Sequence, residues 1–244
     1  MRIGIISDIH SNLESFERAL FYFEKNKIDK LIICGDVIGY GPDPERCINL
    51  AENFAEVILR GNHEEGIINK EFIRFKEYAR ISLEWTIKEI NEKIEKIKGW
   101  KEIEKMEDII FVHASLTDIF YKYILKLKDA EEEFEKLEGK ICFVGHTHIP
   151  GGFIKKIENG KIEKIISDFS GKMEIEIKED FKYIINVGSV GFPRDGFPFV
   201  CVSIYDTDRR FFKLDRIEYD YKKTIQKIIE KGLPSKIGSL LKGF

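Results

Sequence analysis

A chain of 244 residues with 43% hydrophobic content is long enough to bury one large core, and 40 Lys+Arg against 43 Asp+Glu leave a formal net charge of −3, which gives no electrostatic reason to hold bulk nucleic acid. Four scattered cysteines at positions 34, 47, 142 and 201, without a Cys-x-x-Cys pair, exclude a disulfide scaffold and a thiolate metal site and read as reduced, buried thiols. No apolar run reaches the ~18 residues that a membrane span requires, so the expected location is the cytoplasm, with no membrane partner.

In chain order, the first apolar runs are short and suit strands buried on both faces: "RIGIIS" at 2–7, "KLIIC" at 30–34, "EVILR" at 56–60, "DIIFV" at 108–112 and "KICFV" at 140–144. Helical patterns separate most of them. Ser11 or Asn12 can cap a helix running to about Lys25, with Phe16, Leu20 and Phe23 on one face. Between residues 70 and 98, apolar residues from Phe72 to Ile97 keep helical spacing, which predicts one long helix or two in succession. From Gly151 onward the pattern turns to strands. Asn159-Gly160 marks a hairpin, and "KMEIEIKED", "KYIINVGS", "FPFVCVSIYD" and "RRFFKLDRIEY" continue the series before a last helix from about Tyr221 to Lys231. No Pro/Gly/Ser-rich linker interrupts the chain, so residues 1–244 read as a single α/β domain, a sheet pair with helices outside.

Each of the five early strands is followed by polar residues of one kind. The first leads to Asp8 and His10, the second to Asp36, the third to Asn62, His63 and Glu64, the fourth to His113 and the fifth to His146 and His148. All five histidines of the chain are thereby used. The carboxyl ends of strands in an open α/β sheet are where ligand sites assemble, because the connecting loops converge there. A single Asp-x-His is a weak signal, whereas chance placement at five separate strand ends is improbable.

Taken together, Asp8-x-His10, Gly35-Asp36, Gly61-Asn62-His63-Glu64, His113 and Gly145-His146-x-His148 resemble, in order and approximate spacing, the five motif blocks of the calcineurin-like metallophosphoesterase superfamily. The stretches "GDVIGYGPDPERCI", "ARISLEWT", "NVGSVGFPRDGFP" and "GLPSKIGSLLKG" are similar to its small stand-alone bacterial and archaeal phosphoesterases, a likeness over essentially the whole chain. The resemblance implies a four-layer α/β/β/α sandwich, two mixed β-sheets flanked by helices. It implies that Asp8, His10 and His148 hold one metal, that Asn62, His113 and His146 hold a second, and that Asp36 bridges both. His63 is left free to act on substrate as the catalytic residue.

These residue types make chemical sense. Carboxylate, imidazole and amide-oxygen ligands suit two borderline divalent transition metal ions, manganese first among them, with nickel, iron, cobalt or zinc as alternatives. Only Asp8 and Asp36 carry charge, so two such ions leave the set near +2 and invite an anion. Ions ~3.5–4 Å apart can grip phosphoryl oxygens and present a bridging hydroxide for in-line attack on phosphorus.

One departure matters. Protein phosphatases of the superfamily carry Gly-Asp-x-x-Asp-Arg-Gly after the second strand, where this chain has Gly39 and Tyr40. Either Glu64 or nothing then orients His63. Arg194 in "GSVGFPRDG" could replace the missing phosphate-binding arginine, or could form a surface pair with Asp195 in an ordinary turn. Asn12 could assist substrate or cap its helix, and Tyr40 could flank the pocket or be a turn aromatic. The expected activity is hydrolysis of phosphodiesters, or phosphomonoesters, of small phosphorylated substrates. The alternatives are a protein phosphatase, a repair-type nuclease and a non-catalytic metal-binding scaffold. Exposed faces of the second half could mediate oligomerisation.

Overall fold

The computed structural model describes residues 1–242. The chain opens with alternating strands and helices: β1 (Arg2–Ile6), α1 (Leu13–Asn26), β2 (Lys30–Ile33), α2 (Pro44–Phe54), β3 (Val57–Ile58), α3 (Asn62–Asn69), α4 (Glu77–Glu89) and α5 (Ile94–Lys98). The hairpin of β4 (Ile103–Met106) and β5 (Ile109–Val112) leads through α6 (Leu127–Lys136) to β6 (Ile141–Val144). Six strands follow: β7 (Gly151–Lys156), β8 (Ile162–Ile165), β9 (Met173–Glu176), β10 (Phe181–Asn186), β11 (Val200–Asp206) and β12 (Phe211–Ile217). Then come α7 (Tyr221–Glu230) and α8 (Ser235–Leu240).

The strands form two mixed six-stranded sheets, in the orders β3-β2-β1-β11-β12-β9 and β4-β5-β6-β10-β7-β8. Each contains a parallel run, β3-β2-β1 in one and β5-β6-β10 in the other. Both faces of these central strands are covered, and β1, β2, β5 and β6 are accordingly mostly buried runs rich in Ile, Leu, Val and Phe. Ile3, Ile5 and Ile32 of the first sheet meet Phe111, Phe143 and Tyr183 of the second in the layer between the sheets. On the outer face of the first sheet, Phe16, Phe23, Ile48 and Leu83 bring down α1, α2 and α4. Phe134 and Ala130 of α6 cover Ile110, Val112 and Cys142 of the second sheet. The layers are therefore α/β/β/α, as expected, and all four cysteines are buried and free.

Of the two alternatives for the 70–98 stretch, the structure shows helices in succession, α4 and then α5, and they begin at Glu77 rather than near residue 70. Lys70 ends α3 in the left-handed region (φ 55°), residues 71–76 are irregular, and a 3-10 turn at Asn91–Lys93 divides α4 from α5. Phe72 and Phe75 hold helical spacing because they pack on the core and on the neighbouring site, not because they lie on a helix face. Residues 62–69 form the helix α3, begun at Gly61, whose N–H donates to the Glu64 carboxylate.

Candidate metal centre

The carboxyl ends of β1 and β2 in one sheet and of β5 and β6 in the other converge on a single buried cluster. The loop after β6 packs directly on the loop after β1. A Cβ on Gly145 would lie 2.0 Å from Ser7 Oγ and 2.6 Å from Asp8 Oδ2, so only glycine permits that approach. The turns are tight enough to force Asp8, His10, Ser11, Asp36, Tyr40, His146 and His148 into the left-handed region, with φ between 51° and 64°.

Each aspartate is held by one oxygen. The His146 N–H donates to Asp8 Oδ2 at 2.9 Å, and the His63 N–H donates to Asp36 Oδ1 at 2.9 Å. The second oxygens face imidazoles: Asp8 Oδ1 lies 3.3 Å from His148 Nε2 and 3.8 Å from His10 Nε2. Asp36 Oδ2 lies 3.7 Å from His10 Nε2 and 3.4 Å from His113 Nε2, between the two halves of the cluster. Three buried donor groups result, Asp8–His10–His148, Asp36–His113–His146 and His10–Asp36–His63, each with candidate ligand atoms within 4.8 Å of one another. Asn62, the first residue of α3, brings Oδ1 to 3.1 Å from His113 Nε2.

The polar pattern fits bound cations. His10, His113 and His148 turn Nδ1 to the carbonyls of Ile38 (3.1 Å), Cys34 (2.8 Å) and Phe192 (2.6 Å), so Nδ1 carries the hydrogen and Nε2 a lone pair. The Nε2 atoms of His10 and His148 are then two lone pairs 3.0 Å apart, and Asp8 Oδ1 beside them has no hydrogen-bond donor. Acceptors facing acceptors in a dry site repel, and a divalent cation among them removes the conflict. The protonation preferences set by burial point the same way. Burial pushes Asp8 up to about 7, and burial together with the Glu64 and Asp8 carboxylates raises Asp36 well above the usual range. Burial lowers His10, His113 and His148 well below the ordinary imidazole value, and His146 to about 4. Divalent cations favour the ionised aspartates and neutral histidines that burial otherwise sets against each other.

His63 follows Asn62 in the first turn of α3, where successive side chains point ~100° apart. Its ring packs edge-on against His10 (4.5 Å) and Phe75 (5.1 Å), and its Nδ1 has no partner. Glu64 does not orient it. Its carboxylate accepts the N–H groups of Asp36, Ile38 and Gly61 instead, tying the β2 exit to the start of α3. Arg194 makes no surface pair with Asp195, which bonds the buried Arg216 at 2.9 Å. Arg194 instead lines the cleft and donates to Tyr40 Oη at 3.2 Å. Asn12 faces away from the cleft. Its side chain caps α1 through the Ser15 N–H and donates to the Gly191 carbonyl and Tyr219 Oη, which corrects the substrate-binding alternative.

Above the cluster opens a cleft of about 350 Å³. Several of its lining residues are invisible to motif reasoning. Tyr123 lies 4.3 Å from the His146 ring, and Arg74, Lys76, Tyr78 and Lys236 come from segments without a chemical signature of their own. Lys236 at least falls in "GLPSKIG", one of the stretches of the narrower likeness.

Among the described residues, no helix is long and apolar enough to cross a membrane. The chain is 34% identical over 245 residues to an uncharacterized protein of Methanocaldococcus jannaschii, covering 98% of this chain and 96% of that one. Among solved structures it superposes on a metallophosphoesterase from Sphaerobacter thermophilus with a TM-score of 0.84 at 29% identity, covering 100% and 98% of the two chains. A hypothetical protein from Pyrococcus horikoshii shares the fold, with a TM-score of 0.80 at 18% identity over 98% and 97% of the chains. Residues 1–210, which carry every acidic and imidazole group of the cluster, match the model of the calcineurin-like phosphoesterase superfamily domain, and the chain belongs to that superfamily.

Proposed function

We propose that this protein is a dinuclear-metal phosphoesterase that hydrolyses phosphodiesters, or phosphomonoesters, of small substrates. The observation that carries this reading is the position of Asp36 Oδ2 within 4 Å of both His10 and His113, so that one carboxylate serves two adjacent donor groups. In this reading Asp8, His10 and His148 hold one divalent ion, Asn62, His113 and His146 hold the other, and Asp36 holds both. Manganese is the first candidate. When bound, the ions supply Lewis acidity towards phosphoryl oxygens and lower the pKa of a water for attack on phosphorus.

The remaining steps belong to the chain. Arg194 offers its guanidinium to the non-reacting phosphoryl oxygens, held towards the cleft by its bond to Tyr40 Oη. His63, left over once His10 and Asp36 are engaged elsewhere, faces the leaving group. Burial keeps it neutral, and an anionic phosphoryl group beside it favours the protonated ring, which then donates to the departing oxygen. The absence of an Asp-Arg pair at Gly39 and Tyr40 separates the site from the protein phosphatases and favours small diesters. Buried, free cysteines suit a cytoplasmic protein, and residues 1–244 act as one domain in this reading.

The test is an assay of bis(p-nitrophenyl) phosphate and p-nitrophenyl phosphate with manganese, nickel, cobalt and zinc, alongside metal analysis. We expect two ions per chain and metal-dependent hydrolysis. His63→Ala should lower turnover ~10²–10⁴-fold with both ions retained. Equal losses of metal and turnover overturn the role of His63, and a metal-loaded protein inert with all four metals overturns the phosphoesterase reading in favour of a scaffold.

A further inference from the structure

The cleft is lopsided in charge. Arg74, Lys76, Arg194 and Lys236 line it, whereas among the described residues its single lining carboxylate is Asp36, buried at its floor among the histidines. None of the four cations lies within 4 Å of a carboxylate among the described residues, although many surface lysines and arginines elsewhere are paired. They also converge from distant parts of the chain: Arg74 and Lys76 from the irregular segment before α4, Lys236 from the first turn of α8, Arg194 from the loop before β11. Like charges gathered at one mouth repel, and an anionic ligand removes that repulsion.

One phosphoryl group does not account for all four. Arg194 is the least exposed of them and is bonded to Tyr40, whose ring lies 4.5 Å from that of His10 and 4.8 Å from that of His63. It therefore meets the phosphoryl group at the cluster. Arg74, Lys76 and Lys236 are exposed at the outer part of the same cleft, beside Tyr78 and Tyr123. The Arg74 guanidinium lies over the Tyr121 ring at 4.5 Å, a contact that helps hold it at the cleft.

We propose that the substrate carries a second phosphate, bound by Arg74, Lys76 and Lys236 while the scissile group sits at the floor under Arg194. This inference rests on the phosphoesterase reading and narrows it to small molecules with two or more phosphates. A bisphosphorylated sugar and a bisphosphorylated nucleoside share this chemistry. Tyr78 and Tyr123 would add stacking for the nucleoside only.

The experiment compares matched pairs with the manganese-loaded protein: glucose 6-phosphate against glucose 1,6-bisphosphate, and adenosine 5′-monophosphate against adenosine 3′,5′-bisphosphate. Phosphate release gives kcat/KM, and calorimetry gives Kd. The bisphosphate should be favoured about tenfold or more in at least one pair, through KM and Kd rather than kcat, and the preference should shrink as salt rises. In a triple variant, Arg74→Gln with Lys76→Gln and Lys236→Gln, the preference should fall to about twofold or less at an unchanged melting temperature, since all three side chains are exposed. A preference in the adenosine pair alone assigns the aromatic walls to a nucleobase, and one in both pairs leaves the phosphate as the recognised group. Equal Kd and KM within both pairs, or a preference that survives the triple substitution, overturns the second phosphate site. A protein that hydrolyses none of these compounds nor the p-nitrophenyl esters overturns the phosphoesterase reading, and the Kd ratio then still decides the second site.

Discussion

The two ends of the same strands are built on opposite terms. At the amino ends of β1, β2 and β3 polar groups satisfy one another near solvent. The Arg2 N–H donates to Asp29 at 2.6 Å, Lys30 pairs with Glu56 at 3.5 Å, and the one left-handed residue there, Lys27, makes an ordinary helix end whose N–H returns to Glu24 and Phe23. At the carboxyl ends, Asp8, His10, Ser11, Asp36 and Tyr40 are all left-handed and buried, and Asp8 Oδ1, Ser11 Oγ and His63 Nδ1 lack partners. A left-handed non-glycine residue costs about 1–2 kcal/mol, so backbone strain and unpartnered polar atoms coincide at this end of the strands. Strained, buried polar residues gathered in this way are characteristic of a binding site.

If that reasoning is right, relieving the frustration should make the metal-free protein more stable and the enzyme worse. Asp8→Asn tests it with the largest expected effect. The new amide can keep its oxygen on the His146 N–H and turn its NH₂ towards the two facing lone pairs of His10 and His148, doing in part what a cation does. We expect loss of at least one ion and a fall in kcat of about 10³-fold, with a metal-free melting temperature above that of the parent. The effect depends on pH. Asp8 sits at about 7 in the metal-free fold against an ordinary 3.8, so the native state holds its proton more tightly than the unfolded chain does. Its contribution to stability is complete below about pH 4 and is lost as pH rises to about 7, by at most ~1.4 kcal/mol per pH unit. Asparagine does not titrate there, so the advantage of the variant should widen from pH 4 to pH 7. Parallel denaturation curves across that range would remove Asp8 as a source of frustration.

An intermediate effect sharpens the same contrast at His63. Gly39 has φ 87°, and a Cβ there would fall 2.0 Å from His63 Nδ1. Gly39→Ala therefore adds backbone strain and displaces the imidazole without touching a proposed ligand. Turnover should fall about 10–100-fold, as for a misplaced catalytic group, while both ions stay bound. Metal loss in step with activity would mean that His63 belongs among the ligands, as its place beside His10 and Asp36 allows.

How much of this is legible without coordinates depends on whether the signal is local. The strand ends are legible because a short Ile- or Val-rich run followed by Asp, His or Asn is a local pattern, and Asp8, His10, Asp36, His113, His146 and His148 do come together. The helix α3 is hidden because its eight residues begin with the polar Asn62-His63-Glu64-Glu65 and include Gly66, too short and too polar for periodicity to show. The outer cleft is hidden for a different reason. Arg74, Lys76 and Lys236 look like solvated charges, and only the packing of α8 near α4 brings them to one mouth. The partner of Asp195 is likewise set by long-range packing, since Arg216 reaches it from β12 rather than from the adjacent Arg194.

The smallest effect belongs at the quiet end of the strands. Lys30 at the start of β2 and Glu56 just before β3 form an ion pair at 3.5 Å with side chains 36% and 59% exposed. Water and salt screen such a pair, and two long side chains lose rotamer freedom in making it, so Lys30→Ala should cost ~0.2–1 kcal/mol at low salt and less as salt rises. Nothing buried loses a partner, so metal content and turnover should match the parent. A loss of turnover from Lys30→Ala would mean that the two strand ends are mechanically coupled through β2. In that case the strain around Asp36 would have to be regarded as a property of the whole strand rather than of its final turn.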